Sequence, residues 1–357
     1  MKILFIAKPL SSKGNGVVSS LKTEIQYLQE TENVALYNIG VSLDKEIVNT
    51  LFDINNFKNI NSLPEPFNRP DLIVFEEVYK FEYIKLYKEC IKLKIPYIII
   101  PHGCLVTIEQ QKKRIKHFVA NILFFNKFIK NARAVEFLNI EEKISSRFLY
   151  KKYVIIPNSI EFRKIKYKRN KKIFKFIYVG RYAVVTKGLD LLINTFIEIK
   201  DWCENNNVIL ELYGPIEESE ELNNLKRKIE DNNCKKIIKI NGPIYNEMKE
   251  KKLQEASIFI QTSRNEGQPM GIIEALSYGI PCVVTYQTNF GTYCDDNKCG
   301  IGINFDSGEL KKAIYKIYND KDFFEKCKKN SIKSVKRDFE LKKVTKLRRE
   351  IYKNLIK

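Results

Sequence analysis

Short apolar runs alternate with helix-patterned stretches along the whole chain, and this limits the fold more than any other feature. In the first half the runs fall at residues 3–7, 35–39, 72–75, 97–100, 134–138 and 154–156. In the second they fall at 174–179, 208–213, 237–240, 258–260, 282–285 and 302–304. Runs of this kind between helices predict parallel sheets covered by helices. The basic run 163–172 separates the two sets, so the simplest reading is two Rossmann-like α/β units. A chain of 357 residues is long enough to give each its own core.

Composition narrows the class. With 44% apolar residues the chain reads as globular rather than disordered. No apolar run approaches the ~20 residues of a spanning helix. The opening MKILFIAK is too short for a signal peptide and reads as a first buried strand, so a cytoplasmic protein is expected. Eight cysteines are scattered without a C-x2-C pair and there are two histidines, His102 and His117, so no zinc site is expected. The net charge of +19 calls for a phosphate-rich partner: nucleic acid, anionic lipid or a pyrophosphate-linked substrate. Charge alone does not choose among them.

The stretch 263–285, SRNEGQPMGIIEALSYGIPCVVT, carries the most chemistry. It lies between two apolar runs, which predicts a short helix at 270–278 with Pro269 in its first position. The amides of Met270, Gly271 and Ile272 would then converge on an anion, backed by the helix dipole. Glu266 precedes this helix and Glu274 stands one turn inside it, leaning back toward the same place. Carboxylates repel phosphate, so they suit hydroxyls on either side of it. A ligand with phosphates in the middle and polyols at both ends, such as a nucleotide-sugar, fits the layout. An ordinary strand-loop-helix with solvated acids also fits the two Glu taken alone.

Glu266-Gly-Gln-Pro-Met-Gly-Ile-Ile-Glu274-Ala, followed by Gly279-Ile-Pro281 and Thr285, resembles the E-x7-E segment of retaining glycosyltransferases of family 4. The resemblance implies an α/β GT-B fold, two Rossmann-like domains with parallel sheets facing across a cleft. Residues 1–165 would bind the acceptor and 166–340 the donor, with helix 341–357 packing back on the first domain. Other segments extend the likeness. Tyr178-Val-Gly180-Arg181 with Lys187-Gly188 resembles the family's diphosphate clamp, and His102 in Ile-Pro-His-Gly resembles its donor-sugar histidine. The loop with Gly14 and Gly16 resembles its glycine-rich first loop, where Lys8 and Lys13 would add charge. Pro157-Asn158 matches the interdomain crossover with Ser159 in place of glycine, and Tyr213-Gly214-Pro215 matches the Gly-x-Gly-Pro region in part.

What this implies is retaining, metal-independent transfer of a hexose-type sugar from a nucleoside-diphosphate-sugar, UDP-sugar foremost, with no cofactor. Arg181, Lys187 and Glu266 would serve catalysis. Gly16, His102, Gly180, Gly267, Gln268, Met270, Gly271, Ile272 and Glu274 would complete the donor site. The acceptor is expected to be a saccharide, lipid-linked, as in capsule or exopolysaccharide assembly on the inner face of the cell membrane. A membrane surface has its own signal. In the helix-patterned stretch 109–133, Ile115, Phe118, Val119, Ile122 and Ile129 form a core stripe at ~100° per residue. Phe124 and Phe128 fall on the other side among Lys113, Lys116, His117 and Lys127, which suits anionic headgroups. A non-catalytic GT-B-like subunit and a polyanion- or nucleic-acid-binding protein are the alternatives. Nucleic acid is disfavoured, because the charge is spread along the chain and no binding motif is present.

Overall fold

The computed structural model describes residues 1–8, 16–40, 50–112, 114–146, 148–170, 172–216 and 219–357, with the side chains of 16–19 and 112 outside that description. Lys13, Gly14 and Lys113 therefore lie outside the described residues.

The first unit comprises Met1–Ile160 with Phe339–Lys357, and the second Glu161–Asp338. In the first, β1 (Lys2–Ala7), β2 (Asn33–Asn38), β3 (Leu51–Asp53), β4 (Leu72–Glu76), β5 (Tyr97–Ile100), β6 (Ala134–Phe137) and β7 (Tyr153–Ile155) form one sheet in the order β3-β2-β1-β4-β5-β6-β7. In the second, β8 (Phe174–Val179), β9 (Val208–Tyr213), β10 (Ile238–Asn241), β11 (Ile258–Gln261), β12 (Cys282–Thr285) and β13 (Gly300–Ile303) pair as β10-β9-β8-β11-β12-β13. Every pair is parallel. The central strands are buried on both faces, as uninterrupted apolar runs require. Each sheet reverses its strand order once, between β1 and β4 and between β8 and β11. Ligands of open α/β sheets bind at the carboxyl ends of the strands beside such reversals.

β3 has no counterpart among the expected runs. It is three half-buried residues long, and its apolar content does not stand out from the surrounding loop.

The Leu341–Ile356 helix belongs to the first unit. Val344, Tyr352 and Leu355 pack with Leu21, Ile25 and Ile98, and Ile160 holds its entry through Leu341 N to Ile160 O at 3.0 Å. Its Arg348 is 1% exposed and meets two carboxylates, Glu24 at 2.9 Å and Glu136 at 2.7 Å. Tyr352 donates to the second oxygen of Glu136 at 2.8 Å. Burial pushes the Glu24 carboxyl up to about 8, beyond what Arg348 pulls down, with Glu136, Glu76 and His102 as further charged neighbours. The folded chain thus holds this proton more tightly than the unfolded chain. Its contribution to stability is complete below the unfolded carboxylate range and is lost as pH rises toward about 8. Glu24→Gln, which does not ionise, should make the fall in Tm from pH 5 to pH 8.5 shallower; an unchanged slope would place the buried proton elsewhere.

The stretch 109–133 corrects the expected stripe. It forms the Thr107–Lys112, Arg114–Ala120 and Asn126–Asn131 helices, with a π-helical turn, Asn121–Phe125, before the last. A π turn adds a residue to the turn and rotates one side of the helix relative to the other. Below it Phe125, Phe128 and Ile129 face the core, and above it Ala120 packs on the core while His117 stacks on Tyr79 at 4.9 Å. Ile115, Phe118, Val119 and Ile122, expected inside, are 81%, 64%, 47% and 54% exposed. Phe128, expected on the basic face, is fully buried and stacks on Tyr97 with ring centroids 5.6 Å apart. Ile129 is buried as expected, and Phe124, Lys116 and Lys127 are exposed. Among the described residues no helix is long and apolar enough to cross a membrane.

Candidate functional site

The reversal between β8 and β11 gathers most of the predicted residues of the second unit. β8 ends at Val179, and Gly180 N donates to Tyr213 O at 2.9 Å. A side chain at Gly214 would start 1.9 Å from Gly180 O, so the loops after β8 and β9 lie backbone against backbone. Tyr178, buried in the sheet, donates its hydroxyl to Arg181 O at 2.8 Å, which fixes the chain where the exposed Arg181 side chain leaves it.

Lys187 closes the one-turn helix Val184–Lys187, and Gly188 follows with φ +63°. A Cβ there would sit 1.9 Å from Thr262 O, so glycine is required both by the left-handed backbone and by the end of β11 pressed against it. Thr262 Oγ1 donates to Gly188 O at 2.8 Å across the same contact.

This junction brings Lys187 to Glu266. Glu266 Oε1 accepts from Lys187 Nζ at 2.6 Å, Gln261 Nε2 at 2.7 Å and Ser263 Oγ at 2.7 Å. Three donors on one oxygen hold the carboxylate still. The loop behind it is also tied down. Asn289 Nδ2 donates to Glu266 O at 2.7 Å, and Thr285 Oγ1 to Ser263 O at 2.6 Å. Arg264 forms a two-pronged pair with Asp190 at 2.8 and 2.7 Å and lies 4.0 Å over the Phe305 ring. Gln261, Ser263, Arg264, Asp190 and Asn289 were not among the expected site residues. Their one sequence signal is a polar run, Gln261-Thr-Ser263, directly after a buried strand.

The helix that follows spans Met270–Ser277, starting at the expected residue and ending one earlier. Pro269 stands at its cap, with ψ 100°, instead of in its first turn. Ile272 N donates to Pro269 O at 3.1 Å, so the expected anion donor Ile272 is already engaged. Met270 and Gly271 keep the first-turn amides. Gly267 lies in the loop before the helix, its carbonyl reached by Asn289 at 3.2 Å, and Gln268 lies beside it. Glu274, half-buried, forms an ion pair with Lys249, a residue outside the expected set.

The first unit presents the remaining candidates. Gly16 starts the Gly16–Leu28 helix after β1. Lys8, expected to add charge to that loop, is paired with Glu82 at 2.8 Å. His102 follows β5 with φ +49°, and its Nε2 is bonded to Glu76 at the carboxyl end of β4. Burial alone would lower the His102 pKa, yet Glu76, with Glu142 and Glu77 behind it, more than offsets this and holds the value above the usual imidazole range. Asn158 is buried and accepts from Ser20 Oγ at 2.9 Å, a structural bond.

Two doubly wound parallel sheets in one chain, each reversed once, define the architecture of GT-B proteins, and solved structures agree. HepE from Anabaena, in complex with UDP and glucose, aligns with TM-score 0.76 at 15% identity over 99% of this chain and 100% of its own. Sucrose-phosphate synthase from Thermosynechococcus elongatus aligns with TM-score 0.79 at 15% identity over 99% and 98%. At such identities the likeness speaks for the fold. Residues 159–334, which take in nearly all of the second unit, match the family model Glycosyl transferases group 1. Alpha-monoglucosyldiacylglycerol synthase of Acholeplasma laidlawii is 28% identical over 163 residues, 46% of this chain and 39% of that protein. The match thus spans well under half of that relative's length.

Proposed function

We propose that the protein is a retaining glycosyltransferase that moves a hexose from a nucleoside-diphosphate-sugar, UDP-sugar first, to a lipid-linked saccharide. It would act on the inner face of the cell membrane in cell-surface polysaccharide synthesis. The observation that carries the proposal is the Lys187–Glu266 contact, braced by Gln261 and Ser263 at the sheet reversal of a group 1 domain.

The difficult step is departure of the diphosphate, which is electrostatic work. Lys187, Arg181 and the amides of Met270 and Gly271 would meet its negative charge, so no metal is needed. The bond from the anomeric carbon to the diphosphate oxygen breaks, and the acceptor oxygen bonds to that carbon on the same face. The acceptor's proton passes to the departing oxygen, so no protein nucleophile is required. Glu266 would hold a sugar hydroxyl and Glu274 the ribose hydroxyls.

A membrane partner is supported by the exposed face Ile115, Phe118, Ile122, Leu123 and Phe124, flanked by exposed Arg114, Lys116 and Lys127. Apolar side chains with cations around them suit anionic headgroups. The Acholeplasma relative, an alpha-monoglucosyldiacylglycerol synthase, points the same way. Vesicles of phosphatidylglycerol should sediment with the protein at moderate salt, and Phe118→Glu with Ile122→Glu should release it. Equal sedimentation of both proteins would remove the membrane from the proposal.

The donor is tested by thermal shift with nucleoside diphosphates and their sugars, without added metal. Ligand at ~100-fold its Kd should add ~2.7 kcal/mol of stability, and Glu274→Ala should abolish the gain. No shift with any nucleotide overturns the transferase reading.

A further inference from the structure

The contact between Glu274 and Lys249 lies outside every role assigned so far. Glu274 Oε2 is sealed from solvent, and among the described residues no hydrogen-bond donor serves it apart from the ion pair with Lys249. A buried carboxylate oxygen without compensation protonates or turns away. Lys249 thus supplies the missing partner and holds this side chain in one orientation.

The helix that supplies Lys249, Asn246–Gln254, is built to present it. Its residues Glu247, Glu250 and Gln254 lie along one face and grip the segment before β8. Glu247 accepts from Tyr167 Oη at 2.8 Å, Glu250 pairs with Arg163, and Gln254 Oε1 accepts from the amides of Lys166 and Tyr167 at 2.7 and 2.9 Å. Lys249 stands one turn before the buried Leu253, on the inward face, and is half-buried itself. A lysine on a helix anchored in this way loses little further freedom when it pairs.

We infer that Lys249 is a positioning residue that sets the preference of the donor site for a ribonucleoside over a deoxyribonucleoside. The inference rests on the donor reading above, in which Glu274 receives the ribose hydroxyls. With Oε2 taken by Lys249, Oε1 is turned toward the ligand, and a fixed acceptor distinguishes a 2′-hydroxyl from its absence. An acceptor free to swing does so poorly.

Binding of UDP, 2′-deoxy-UDP and inorganic pyrophosphate to the full chain, by titration calorimetry, tests this. In Lys249→Met the Kd for UDP should rise ~10-fold and the preference for UDP over 2′-deoxy-UDP should fall toward one, while pyrophosphate binding stays within about two-fold. Lys249→Arg should retain the preference. If the wild type binds UDP and Lys249→Met keeps both affinity and preference, this inference alone is overturned. Tighter UDP binding by Lys249→Met would make the lysine a competitor for Glu274 and overturns it equally. If the wild type binds neither nucleotide, the donor reading falls and takes the inference with it.

Discussion

Replacing Lys187 by alanine should lower kcat for sugar transfer by about 10²–10³-fold, the loss seen when one preorganised donor to a developing anion is removed. Two effects combine. On the proposed mechanism the diphosphate would lose a cation that Gly188 and Thr262 place within the β8–β11 reversal. Glu266 loses its charged partner and keeps only Gln261 and Ser263, so its carboxylate is less well compensated. Both side chains of the pair are largely covered, at 16% and 14% exposure, so their contact is poorly screened by water. Tm should move little, because the surrounding loop is still tied by Arg264–Asp190 and Asn289. Lys187→Arg should recover part of the rate. A kcat within about three-fold of wild type, with unchanged Tm, would remove Lys187 from the transition state.

Replacing Arg348 by methionine should cost about 3–5 kcal/mol of stability, the range for breaking a buried ion pair by deleting one partner. Arg348 is 1% exposed, and the two carboxylates it serves, Glu24 and Glu136, are 5% and 0% exposed. Deleting the guanidinium leaves Glu136 buried without its cation beside Glu24, which already holds a proton below about pH 8, and the cost is desolvation of the uncompensated acid rather than the lost attraction. Arg348→Met combined with Glu136→Leu should therefore recover part of the loss, since an apolar pair carries no such penalty. Chemical denaturation of the three proteins checks this. Loss under 1 kcal/mol in the single variant would mean that water reaches the cluster.

These two sites differ in how far they could be read in advance. Lys187, Glu266 and Glu274 sit in short local patterns: a strand, a tight glycine, then a cation or an acid at a helix start. The β8, β9 and β12 limits were legible to the residue, because apolar runs bounded by polar residues are a local signal. Arg348 was not singled out, since nothing near it in the chain hints at Glu24 or Glu136, more than two hundred residues away. Lys249 is one lysine among many on a polar helix, and only its neighbour across the fold marks it.

Where local reading went wrong, a small backbone change was responsible. The helix-patterned stretch 109–133 has sound periodicity, but the π turn at Asn121–Phe125 rotates one part against the other. Phe128 went into the core and Phe118 and Ile122 came out. Pro269 stands at the helix cap rather than in the first turn, and its carbonyl engages the Ile272 amide.

The sequence by itself determined the class of the fold: parallel α/β units, nearly all their strands, and the acids and cations that cluster at the turns after β8 and β11. Each depends on composition within a few residues, where burial and turn chemistry leave few options. Only the tertiary structure decided which helix face is wet, which carboxylate is compensated by which cation, and how the last helix is locked. Those outcomes depend on a partner brought from a distant part of the chain, and on which buried charges find one.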